Sequence, residues 1–237
     1  MADASGSLAV VDKIETFCGG ACSVLWGGAV PYFENGTAIS EVGGSIYNHH
    51  IFTVNRGRNV PDHICPGDSA KMGMVADPFI GGGTDQEYML FTSPDGSFKS
   101  GYELKATDRV DLVAEFMNYR PQSQRIHITV DFEYLPGKQD GLLNAQTLAL
   151  SAASCNQMAF NVPSKQYTTT SEDWIVPVDA TIISARGHQH DGQVLIISFL
   201  SSQLTLPQWH WRSSNCQRQA SLYLYPRVFQ GREPWAQ

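Results

Sequence analysis

Histidines supply the residues best suited to chemistry. His188-Gln189-His190 places two imidazoles at i and i+2. In an extended strand such residues project from one face, so both rings can reach a single ion, and neutral His binds copper, zinc or iron. Gly187 and Gly192 flank the pair and let the backbone bend, while Asp191 either orients a ring by accepting its second N–H or forms a turn. His49-His50 is the second cluster. Adjacent strand residues point to opposite faces, so these two share an ion only if the strand is distorted there or each ring uses a different nitrogen. The plainer reading buries one hydrogen-bonded imidazole and exposes the other. His127 falls on the polar parity of its own strand, facing solvent or a crevice.

Other residues carry a weaker signal. Cys18-Gly-Gly-Ala-Cys22 is compatible with a redox or metal pair, a structural bridge or two free thiols. Met72 and Met74 offer soft thioether donors but also fill cores. His63 and Cys65 sit between Pro61 and Pro66, as loop residues do. The chain has no Gly-x-Ser-x-Gly elbow, phosphate loop or dinucleotide fingerprint, so hydrolase, kinase and dehydrogenase chemistries lack a motif.

The elements that must hold these residues are strands. RIHITVDFEYLP, from Arg125 to Pro136, alternates Ile126, Ile128, Val130, Phe132 and Tyr134 with His127, Thr129, Asp131 and Glu133, the period of a strand with one buried face. Shorter β-rich runs span Ser45 to Asn55, Glu87 to Thr92, Tyr102 to Ala106, Trp174 to Val178, Ala180 to Arg186 and Val194 to Phe199. Asp108 to Tyr119 fits strand or helical spacing, with the strand preferred. The sequence therefore predicts an all-β protein. Pro136 to Gly141 combines turn formers with polar residues and divides the chain into a first β-domain, 1–137, and a second, 138–237. From about residue 193 the character changes: the only charged residues are Arg212, Arg218, Arg227, Arg232 and Glu233, and Trp209, Trp211 and Trp235 cluster there. This end reads either as an aromatic binding surface or as an irregular tail.

Composition narrows the function classes. With 16 Lys+Arg against 23 Asp+Glu, the formal charge of −7 gives no basic field for a polyanion, so nucleic acid is not expected as a partner. No run approaches the roughly 20 apolar residues of a membrane helix. The beginning, MADASGSLAV, lacks the basic and apolar regions of a secretory leader. Asn35-Gly36-Thr37 is a glycosylation sequon, of consequence in a secreted chain.

The segments FCGGACSV (17–24), YFENGTAIS (32–40), IYNHHIF (46–52), SGYELKATDRVDLVAEFMNY (100–119), IHITVDFEYLPG (126–137) and GHQHDG (187–192) resemble the stress-up-regulated nodulin-type proteins of plants and fungi. That family is in turn similar to the copper type II, ascorbate-dependent monooxygenases such as peptidylglycine α-hydroxylating monooxygenase. The resemblance implies two jelly-roll-like β-sandwich domains, one copper on each, and an extracellular location. Residue by residue, it implies that His49 and His50, with His127 as a third ligand, hold the electron-supplying copper. It assigns His188 and His190 to the copper that activates O₂, with ascorbate as reductant and a small molecule or peptide as substrate. Two departures stand out. No methionine follows Met158, so the thioether expected downstream of the His pair is missing, and Gln193 follows Gly192 where the family continues with glycine and a further β-region. The second domain is therefore expected to be truncated. Two other readings stay open: a non-catalytic β-sandwich binding module with structural histidines, and a mononuclear zinc or iron enzyme using the His-x-His pair with one further His or carboxylate.

Overall fold

The computed structural model describes residues 7–14, 17–39, 45–58, 77–82, 88–147 and 181–184. The chain divides into two compact units, the first comprising Met1–Arg58, Pro78–Gln146 and Tyr225–Gln237, the second Asn59–Asp77 and Thr147–Leu224. Described regular structure is all β, in nine strands: β1 Ser7–Ile14, β2 Cys22–Phe33, β3 Ile46–Asn55, β4 Asp77–Gly82, β5 Met89–Leu90, β6 Ser100–Leu104, β7 Val110–Asn118, β8 Ile126–Pro136 and β9 Leu143–Asn144. Among the described residues no helix is long and apolar enough to cross a membrane.

One sheet has the order β1-β7-β3-β4; in the other the order is β5-β2-β6-β9, with β8 also paired to β2. The strand preference for Asp108 to Tyr119 is met by β7, because Val110, Leu112, Ala114 and Phe116 all turn inward while Glu115 and Met117 turn outward. Residues 181–184, within a run expected as strand, form none. The second-domain runs at 174–178 and 194–199 lie outside the described residues, as does the tail from 193.

Aromatic side chains join the sheets into a sandwich. Phe79 of β4 stacks on Tyr102 of β6 with ring centroids 4.5 Å apart and planes within 5°. Phe17 stacks on Phe132 of β8 at 4.0 Å and meets the edge of Phe79 at 5.4 Å. Each such contact adds about 1 kcal/mol beyond its buried area. Val24, Ile46, Ile51, Ile80, Phe91 and Phe116 complete the core. The sheets approach so closely at Gly27 of β2 that a Cβ there would lie 2.8 Å from Ile80 Cγ1 and 3.0 Å from Phe132 Cβ. That contact explains why a residue with poor strand propensity stands in the middle of the longest strand.

Polar groups are buried at defined points. Asp111 of β7 is almost fully enclosed, and its carboxylate accepts from Arg109 Nε at 2.8 Å and Arg56 Nε at 2.9 Å. Burial by itself raises its pKa, but the hydrogen bonds and charges of the two guanidinium groups outweigh it and hold the carboxyl below its usual range. Glu133 of β8 departs from the alternation. It was expected on the polar face, yet it is 8% exposed, opposite Trp26 of β2. Its Oε2 accepts no hydrogen bond, and burial pushes its pKa up to about 7. The indole of Trp26 opposes that rise, although its Nε1 makes no hydrogen bond of ordinary geometry.

Candidate metal centre

The position of the histidines follows from one extra residue in β3. In its first half Ile46 and Asn48 are buried; in its second half Ile51, Thr53 and Asn55 are buried. Inward parity thus switches from even to odd numbers. The pairing with β7 shows how: Asn48 lies opposite Phe116 and His50 opposite Glu115, so His49 is the added residue of a β-bulge. Without the bulge, either Ile46 and Asn48 or Ile51 and Thr53 would face solvent. With it, both halves keep their inward side chains and His49 and His50 emerge together on the outer face. The distortion needed for two adjacent histidines to act on one ion is present.

The two imidazoles lie with ring centroids 4.0 Å apart and planes inclined at 41°. Both face one carboxylate. Glu115 Oε2 is 2.8 Å from His49 Nδ1, a hydrogen bond, and 3.8 Å from His50 Nδ1, an ion-pair distance. Since a carboxylate only accepts, His49 Nδ1 donates in this contact. One ligand atom from each of His49, His50 and Glu115 falls within 4.8 Å of the others. The side chains are 20%, 31% and 40% exposed, accessible but shielded on one side by Tyr47 and Phe52, whose rings approach His49 and His50 respectively. Two imidazoles and a carboxylate are a donor set for zinc, non-haem iron or copper, and the spread of their atoms fits one ion.

Of the other expected histidine ligands, only His127 lies among the described residues. His127 is exposed on β8, opposite Tyr32 of β2, in the other sheet from His49 and His50, and it is not part of this group. His188 and His190 lie outside the described residues, as do His63, Cys65, Met72 and Met74. Cys18 and Cys22 form a disulfide, which removes them as thiolate ligands and sets aside the reading of two free thiols.

Glu115 was not foreseen from the sequence. Its only local signal is its place on the outward parity of a run, VDLVAEFMN, whose inward positions are apolar or buried polar. Its partnership with His49 spans 66 residues and becomes visible only once β3 and β7 are in register. Compared with family models, curated proteins and solved structures, the chain finds no match.

Proposed function

We propose that this protein binds a transition-metal ion, copper in the first instance, between His49, His50 and Glu115, and that it serves the oxidation of a small molecule or peptide by O₂ in the manner of the ascorbate-dependent copper monooxygenases. The observation that supports it is the bulge at His49, which turns two adjacent imidazoles to one face beside a shared carboxylate. Copper heads the divalent series for nitrogen and oxygen donors, so a site of this composition takes it most tightly. The ion supplies a one-electron couple.

This chain's own residues supply the setting. Before an ion binds, Glu115 holds the His49 ring by accepting from Nδ1; as a donor oxygen it would bring negative charge to offset the cation. Tyr47 and Phe52 flank the imidazoles, with ring centroids 5.9 Å from His49 and 6.3 Å from His50. In this reading Glu115 replaces His127 as the third donor, while His188 and His190 remain the proposed ligands of a second copper. A mononuclear zinc or iron centre is the second reading, and the carboxylate in the donor set is the observation that favours it.

Metal content after parallel loading with Cu(II), Zn(II) and Fe(II) tests both. Tight copper that falls by one equivalent when His49 and His50 are both replaced by Ala supports the first reading. One zinc or iron lost in the same variant supports the second. Unchanged stoichiometry in His49→Ala/His50→Ala refutes the centre altogether. Glu115→Gln is expected to weaken binding by roughly 10- to 100-fold, and His127→Ala to leave it unchanged.

A further inference from the structure

Asn35-Gly36-Thr37 is the only Asn-x-Ser/Thr sequence in the 237 residues. It occupies the tip of a tight reversal in which β2 ends and the chain folds back on it. Phe33 N–H donates to Thr37 O and Gly36 N–H to Phe33 O, both at 2.9 Å, and Tyr32 bridges Ala38 beyond the turn. Gly36 takes φ +80°, which closes the turn at little cost only for glycine. Residues 34–38 are all exposed. Asn35 Oδ1 accepts from Thr37 N–H at 3.0 Å, which fixes the amide, and among the described residues its Nδ2 donates no hydrogen bond. The ion pair of Glu34 with Arg125, at 3.1 Å, braces the base of the turn and leaves Asn35 at the apex.

A second observation bears on where the chain matures. Cys18 and Cys22 are disulfide-bonded just ahead of β2. Bonded cysteines persist in oxidising compartments, the same ones in which oligosaccharides are transferred to asparagine. From the exposed sequon and this bridge together we infer that Asn35 is a glycosylation site, carrying an N-linked oligosaccharide acquired in the secretory pathway. The donor is a diphosphate-activated, lipid-linked oligosaccharide. Asn35 Nδ2 loses one proton and forms a bond to the anomeric carbon, the bond from that carbon to the diphosphate oxygen breaks, and the lipid diphosphate leaves with its electron pair. No oxidation or reduction is involved. Nothing described fills the space beyond the turn, so a bulky polar chain is accommodated there without displacing core side chains. The glycan emerges from the end of β2, in the sheet opposite to the one that carries His49 and His50.

The test directs the full chain into the endoplasmic reticulum of a eukaryotic cell behind a cleavable leader. The leader-cleaved product is expected to migrate as a single heavier species that collapses on digestion with peptide N-glycosidase. Digestion in heavy-oxygen water should leave a labelled Asp at position 35. Asn35→Gln and Thr37→Ala should each abolish the shift, and Thr37→Ser should retain it. Leader-cleaved protein with an unmodified Asn35 overturns the inference. A glycan that survives Asn35→Gln overturns it equally.

Discussion

Replacing Glu133 by Gln should stabilise this protein, and by an amount that depends on pH. The carboxyl is 8% exposed, its Oε2 has no hydrogen-bond partner, and its pKa moves from 4.5 to about 7. A raised acid pKa means that the folded state holds the proton more tightly than the unfolded state, so stability falls as pH rises through the window from 4.5 to about 7. Below that window both states are protonated and the group costs nothing. Above it the full difference applies, about 3 kcal/mol at 1.36 kcal/mol per pKa unit. Gln resembles the protonated acid in shape and does not ionise. The difference in unfolding free energy between Glu133→Gln and the parent should therefore be near zero at pH 4.5 and grow to about 3 kcal/mol by pH 8. In urea this corresponds to a midpoint higher by roughly 1–2 M for the variant at the alkaline end. Urea melts of both proteins at several pH values measure it, and subtracting one from the other cancels every titration they share. A difference that stays constant within about 0.5 kcal/mol across the range would refute the reasoning. The enclosed carboxyl would then be solvated in the folded state.

The opposite sign applies to Asp111, whose depressed pKa gives stability that is present above pH 3.8 and lost as pH falls towards the folded value. Asp111→Asn should cost about 2 kcal/mol near neutrality by denaturant melts, with a shallower loss than the parent on acidification. At Gly27, Ala would press on Ile80 and Phe132, so Gly27→Ala should destabilise by about 1–3 kcal/mol, read as a lower melting temperature. Losing the disulfide through Cys18→Ser is expected to cost about 2 kcal/mol, the loop-closure value for so short a loop. The same loss should appear when the parent is unfolded under reducing conditions.

Alternation of side chains made β7 and β8 legible in the sequence, because a strand with one buried face writes its period directly, while β-rich composition marked the runs that hold β3 and β5 and overlap β6. β2 was not among the runs picked out from the sequence. Gly27, Gly28 and Pro31 are poor strand formers, and the reason Gly27 is tolerated lies in Ile80 and Phe132, which only the folded sandwich brings to it. The candidate site was half legible. His49 and His50 stood out as candidate ligands by type, and the condition for their cooperation, a distorted strand, followed from parity alone. Whether β3 meets that condition depends on its register with β7, and Glu115 enters through the same register. Nothing local in the sequence encodes a pairing between segments so far apart. Glu133 was misplaced for a related reason: the alternation in β8 is real, but what covers its polar face is set by Trp26 and its surroundings on other strands.

The pairing order bears on how the chain is made. Among the described residues β1 is matched only to β7, from Ile14 with Val110 to Ser7 with Met117, and the longest partner of β2 is β8, from Phe33 with Ile126 to Cys22 with Pro136. At about 5–20 residues per second, a ribosome takes on the order of 5–20 s to deliver the roughly one hundred residues that separate such partners. Through that interval the nascent β1 and β2 have open edges and uncovered apolar faces, the state in which strands join the wrong neighbour. Lower temperature during expression slows aggregation and synthesis together, whereas a holdase that covers these first strands acts on the exposed edges alone.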